Sequence, residues 1–368
     1  MLASLSRVKQ GLLILLAQNI PATFAFSFTF LFFQRQGYSL WWLIMMYVIY
    51  STVGILIIIP IKAFYLRSFL LMSFVGYSLL ALLLLINPAY APIWYGILLS
   101  FPLIFFWIPL NYIFFKMSKK ETHAVDSTVF MVLPGLISII MPLIGAAMIK
   151  NVGYSWLFSI AALLFLFALP LIWTQIPEER ISATIAEGIS NFKTLRTITF
   201  LEGALHFFTA VIIPVYALLF FQRATQIGWF ISYLAILSLS IALLVSRHSD
   251  KTQQRKGHLF LLFFLLTASI ISLALVNSAV AWVTATGIFA VIYAISSPLR
   301  LAVSMDVKNI TIDFWKTREI FLNAGRAVTL SLAAIFFYYE VYWPVFVMFA
   351  CITTSYPFLV HYKLKGIK

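Results

Sequence analysis

Apolar residues run in long unbroken stretches along this chain, separated by short polar punctuation. A hydrocarbon core of about 30 Å is crossed by about 20 residues of helix. Twelve stretches meet that length: 11–33, 40–61, 68–87, 92–115, 125–149, 153–174, 197–221, 226–246, 258–277, 279–305, 319–338 and 341–362. Asn87-Pro88 and Asn277-Ser278 supply turn chemistry where two stretches almost touch. Nothing alternates with the period of barrel strands. The first stretch, Gly11 to Phe33, is longer than the apolar part of a signal peptide and reads as the first spanning helix. The pattern predicts an all-α integral membrane protein with twelve transmembrane helices.

Composition narrows the class. The 368 residues are 63% hydrophobic and 10% charged, against roughly 25% charged in an ordinary soluble domain. Mean hydropathy is +1.01. A soluble surface cannot be built from so few charges. This excludes a soluble enzyme, a nucleic-acid-binding protein and a disordered chain. The net charge of +14, from 25 Lys and Arg against 11 Asp and Glu, then has a topological meaning. With the N-terminus inside, twenty Lys and Arg fall on the inner side and three, Arg35, Lys150 and Arg223, on the outer. Arg300 and Arg326 lie within spans. The bias predicts a multi-pass protein of the cell inner (plasma) membrane with both termini cytoplasmic. The lone cysteine, Cys351, lies in the last stretch and has no intrachain partner.

The polar stretch 175–196 divides the spans six and six, predicting bundles at 1–174 and 197–368 joined by a cytoplasmic linker. Ile181, Ile185, Ile189 and Phe192 recur there at helical spacing, which predicts an amphipathic helix on the inner membrane surface. The halves repeat. Leu31-Phe32-Phe33-Gln34-Arg35 returns as Leu219-Phe220-Phe221-Gln222-Arg223, and Pro109-Leu110-Asn111 as Pro298-Leu299-Arg300. The offsets, 188 and 189, nearly agree. They predict a duplicated six-helix unit and two pseudo-symmetric bundles.

This arrangement resembles the major facilitator superfamily of secondary transporters. Ser246 to Gly257 is similar to the family's cytoplasmic loop signature, with Asp250 and the pair Arg255-Lys256 in place and Gln253-Gln254 where the family has Gly. The first-half loop, Ile61 to Arg67, lacks the Asp. Met141-Pro142-Leu143-Ile144-Gly145-Ala146 is similar to the exporters' proline-glycine motif without its outer glycines. The resemblance implies alternating access about a cavity lined by spans 1, 4, 7 and 10. It also implies an inner clasp at Asp250, Arg255 and Lys256, and favours export over uptake. Physically, Pro142 removes a backbone bond and bends its helix, while Gly145 lets a neighbour approach.

Polar groups inside a span are costly and point to function. Glu202 and His206 stand four apart on one helical face and form a candidate proton-coupling pair. The repeat maps Gln18 onto His206 and Asn111 onto Arg300. With Asn19, these four are the candidate substrate-binding residues. Arg300 has two readings, snorkelling to headgroups or presenting a fork to an anion. Glu319, Asn323 and Arg326 share a face and read as an inner-gate network, with Asp306, Asp313 and Glu319 as candidate partners of Arg326. No phosphate loop, metal spacing or nucleophile elbow occurs, so neither catalysis nor a cofactor or metal is expected.

The sequence therefore predicts a proton-coupled secondary transporter, a monomer in the lipid bilayer, moving a small-molecule substrate. One Arg, one His and several amides tilt the solute toward an anionic or amphipathic one. The alternative is a transporter-like receptor or scaffold that does not transport.

Overall fold

The computed structural model describes residues 7–115, 123–182, 188–190, 192–252, 255–307 and 311–363. Side chains are described throughout these ranges except at 7–9, 123–126, 131, 240–252, 255–257 and 307.

The described chain is almost wholly helical. Helix α1 (Arg7–Phe26) carries Pro21, and after a turn at Ser27-Phe28 it continues as α2 (Thr29–Arg35). Then come α3 (Leu40–Ile58), α4 (Leu66–Ile86), α5 (Ala91–Phe115) and α6 (His123–Val152). Helices α7 (Tyr154–Phe167) and α8 (Leu169–Gln175) make one further crossing. The second half holds α9 (Arg196–Phe207), a π turn at Phe208–Ile212 and α10 (Ile213–Ala217). It ends with α11 (Ala224–Thr252), α12 (Arg255–Ala274), α13 (Ala279–Val307), α14 (Ile312–Tyr338) and α15 (Trp343–Lys363). Among the described residues, ten helical stretches are long and apolar enough to cross a membrane. Two shorter apolar stretches, Ala224–Leu239 and His258–Ala274, lie in α11 and α12. This is a multi-pass membrane protein.

Two seams join the first half of the chain to the second. Helix α14 lies along α3, and α11 lies along α6. Such seams need small residues, because lipid tails compete equally well for large apolar ones. Gly228 of α11 sits so close to the Pro142 carbonyl that an added Cβ would lie 2.8 Å from its oxygen. Gly145 closes on the Phe24 backbone of α1 in the same way. The α3–α14 seam runs from Trp41 against Tyr338 at one end to Lys316 at the other, whose Nζ donates to the Ile61 carbonyl. The Ile61 end is the one the charge bias assigns to the cytoplasm, and we call it the inner end.

Several expectations change at the inner end. The linker does not run as one amphipathic helix. Strand β2 (Arg180–Ser182) pairs antiparallel with β1 (Ala63–Tyr65), setting Phe64 opposite Ile181. β-branched Ile181 suits an extended strand, and the first-half loop offers it an open edge. Gly188 packs on Thr317, and Phe192 stacks on Phe321; Ile185 lies outside the described residues. The segment carrying Asp250 is helix and not loop, since α11 continues to Thr252. The clasp itself falls on Asp250, Arg255 and Lys256, whose side chains lie outside the described ones. Helix α14 begins at Ile312, seven residues before the predicted 319. Charged Lys316, Arg318 and Glu319 gave that segment the look of a loop, yet Lys316 and Glu319 are buried against neighbouring helices.

Candidate functional site

The site is organised where α9 crosses α14. Gly203 lies against the Leu322 backbone, and Gly325 lies against the Phe200 backbone. Two glycines facing each other's helix bring the backbones into contact, so the side chains on either side must interlock. Glu202 and His206 flank Gly203; Asn323 and Arg326 flank Gly325.

Two ion networks result. Glu202, 3% exposed, accepts from Arg318 Nη2 at 2.8 Å, from Tyr356 Oη at 2.8 Å and from Ser304 Oγ at 3.4 Å. It ties α9 to α13, α14 and α15. Arg326, 5% exposed, donates through Nη1 to Asn323 Oδ1 at 2.9 Å and to Glu319 Oε2 and Tyr50 Oη at 3.4 Å each. Of its three candidate partners, Glu319 is the carboxylate beside it. Its Nη2 stands 3.0 Å from His206 Nδ1, and its guanidinium rests 4.7 Å over the Phe207 ring. A guanidinium has only donors, so Nδ1 must accept and the His206 ring is neutral with its proton on Nε2. Through Tyr50 of α3, this second network bridges the halves of the chain. Glu202 and His206, expected as a pair, thus belong to adjacent networks on one helix.

Arg300 is 4% exposed, so it stays buried and does not snorkel. Its guanidinium lies 4.8 Å from the Tyr293 ring centroid, and its Nε has no hydrogen-bond partner. Gln18 is buried with an unpartnered Oε1, whereas Asn19 donates to the Leu15 carbonyl of its own helix at 2.9 Å. Asn111 is buried in α5. Gln18, Asn19 and Asn111 make no described contact with His206 or Arg300. The two repeated Gln-Arg motifs do meet at the outer end, where Arg35 Nη2 donates to the Gln222 carbonyl at 3.2 Å.

Between the halves lies a cavity of about 290 Å³. Phe30 of α2, Ser138 of α6, Thr209 and Ile213 beside the π turn, Phe230 of α11 and Tyr293 of α13 are among its walls. His206, three residues before Thr209, continues the same face and keeps open surface. Of the spans expected around a central cavity, 1, 7 and 10 line this one, joined by spans 5 and 8, while span 4 contributes no wall residue; the individual lining residues, mostly apolar, carried no signal in the sequence. The π turn was also missed, although Pro214 signals it. Proline has no N–H for the Ala210 carbonyl and its ring crowds that turn, so the helix widens just before it. Among the described residues, no three His, Cys, Asp or Glu converge as metal ligands.

No family model matches this sequence, and no curated protein does. Among solved structures, it is similar to the crystal structure of the human organic anion transporter MFSD10 (TETRAN). That likeness has a TM-score of 0.71 at 13% identity, over 96% of this chain and 99% of that one. Ten apolar membrane-length helices and this likeness together give the chain the fold of that transporter.

Proposed function

We propose that this protein is a secondary active transporter that moves a small solute by alternating access, is coupled to protons, and favours export over uptake. The bundles 1–174 and 197–368 rock about the central cavity, with both termini in the cytoplasm. The observation that supports this reading best is the bridge from His206 through Arg326 to Tyr50. When His206 takes a proton at Nδ1, it can no longer accept from Arg326, and two cations face each other. Arg326 then turns to Glu319, its hold on Tyr50 changes, and the α3–α14 seam loosens. Glu202, held by Arg318 and Tyr356 one turn away, is the second candidate for the proton. The preference for export rests on the likeness of Pro142 and Gly145 to the exporters' motif.

The test is proton movement in liposomes that contain the purified protein and an internal pH-sensitive dye. Carboxylates, sugars, amino acids and lipophilic drugs are added in turn under an imposed pH gradient. A solute-dependent pH change, lost in His206→Gln and reduced in Glu202→Gln, is expected. Solute flux that ignores the gradient would overturn the coupling. Absence of flux for every class would favour the receptor or scaffold.

A further inference from the structure

The buried charges do not balance, and the imbalance lies beside an apolar cavity. Glu202 is paired with Arg318 and Glu319 with Arg326, while Lys316 donates to the Ile61 carbonyl and interacts with Asp313. Arg300 forms no ion pair among the described residues, and the carboxylate that acts on it, Glu202, is already held by Arg318 and Tyr356. A buried cation without a carboxylate of its own is strongly unfavourable inside a membrane protein unless something further pairs with it. Its position is informative. Thr286, Phe289, Ala290 and Tyr293 line the cavity from one face of α13, and Arg300, seven residues after Tyr293, continues that face. Helical side chains lean toward the helix N-terminus. Here that is toward the cavity, and the guanidinium accordingly rests on the cavity residue Tyr293.

The cavity wall is itself chemically apolar. No charged residue lines it among the described residues. Three of its hydroxyls are taken up by their own helices. Ser138 donates to the Pro134 carbonyl at 2.9 Å, Thr209 to Leu205 at 3.4 Å and Thr286 to Trp282 at 2.6 Å. The rings of Phe30, Phe230 and Phe289 supply flat contact surface.

We infer that the missing counter-charge belongs to the solute, and that the site takes an amphipathic organic monoanion. Its apolar body lies among Phe30, Phe230 and Phe289, and its carboxylate meets the Arg300 fork at the cavity's inner end. This rests on the transporter reading above and adds to it the class of substrate. A guanidinium matches a carboxylate with two parallel donors, whereas an amide offers a single weak acceptor and an ammonium repels it.

Three probes with one ring system separate the contributions: 2-naphthoate, 2-naphthamide and 2-naphthylmethylammonium, each titrated calorimetrically into the protein in nanodiscs. Naphthoate should bind at least tenfold tighter than the amide, and the ammonium should not bind. Arg300→Gln should bring naphthoate and naphthamide within twofold of each other, while Arg300→Lys keeps part of the preference. Without ligand, Arg300→Gln should melt no lower than the wild type, since it removes a buried charge that has no ion pair of its own; that result certifies the variant as folded. Equal binding of amide and carboxylate, a preference surviving in Arg300→Gln, or no naphthoate binding would each overturn the inference. Naphthoate binding without flux in liposomes would instead sink the transport reading and leave the anion site standing. Proton-coupled flux of a sugar or a cation with no naphthoate binding would do the reverse.

Discussion

Substituting Gly203 by Ala tests whether the α9–α14 crossing sets the geometry of the site. A Cβ at position 203 would stand 2.8 Å from the carbonyl carbon and the Cα of Leu322, and closer still to the carbonyl oxygen. Carbon atoms pack at about 3.5–4.0 Å, so the helices must part by roughly 1 Å. The obstacle is backbone in the middle of a 27-residue helix, not the tip of a flexible side chain, so it cannot swing aside. Overpacking of this kind costs about 1–3 kcal/mol, and the rigid neighbour puts Gly203→Ala at the upper end. A 1 Å displacement also stretches the 3.0 Å contact between Arg326 and His206 beyond hydrogen-bonding range. Misplacements of that size at a working site cost about 100-fold in rate. The protein should therefore melt lower in detergent and lose proton-coupled flux more completely than it loses fold. Melting curves on purified protein and flux per folded molecule in liposomes measure the two effects. Wild-type melting together with wild-type flux in Gly203→Ala would refute the reasoning, since the backbones could then separate freely.

Further outcomes follow from the same structure. Glu319→Gln strands the buried Arg326 without its carboxylate and should destabilise by about 3–5 kcal/mol, while Glu319→Gln with Arg326→Met should recover most of the loss; chemical denaturation of the two variants beside the wild type checks it. Pro214→Ala restores a donor to the Ala210 carbonyl, so the π turn should close to ordinary helix, with melting unchanged or higher and flux lower because Ile213 turns relative to His206. In a Cys351→Ser background, Gln36→Cys should react with an impermeant maleimide added to intact cells, whereas Lys62→Cys should react only after permeabilisation. The opposite labelling would invert the topology.

Much of the architecture was legible in the apolar pattern, because a membrane leaves a helix few alternatives. The spans that the sequence predicts at 40–61 and 92–115 are helices at Leu40–Ile58 and Ala91–Phe115. The shared face of Glu319, Asn323 and Arg326 followed from spacing alone, and all three meet in one network. What spacing cannot give is the partner on another helix. Tyr50 and Tyr356 look like any other tyrosine in a chain that has seventeen, and their roles come from the crossing that Gly203 and Gly325 permit. The start of α14 was misread because charge in sequence looks like loop, even when neighbouring helices cover it. The residues that line the cavity were invisible for the opposite reason, since a Phe that lines it and a Phe that faces lipid are the same letter.

The most direct test of the central claim, that protonation at His206 loosens the α3–α14 seam, is a distance measurement across the inner end. Spin labels at Ile59→Cys and Thr311→Cys, in a Cys351→Ser background and in nanodiscs, report that separation by pulsed electron resonance. The account predicts one short distance at pH 8, a second longer population that grows as the pH is lowered stepwise into the acid range, and loss of that second population in His206→Gln. A single distance across the whole titration, or the same lengthening without His206, would contradict it.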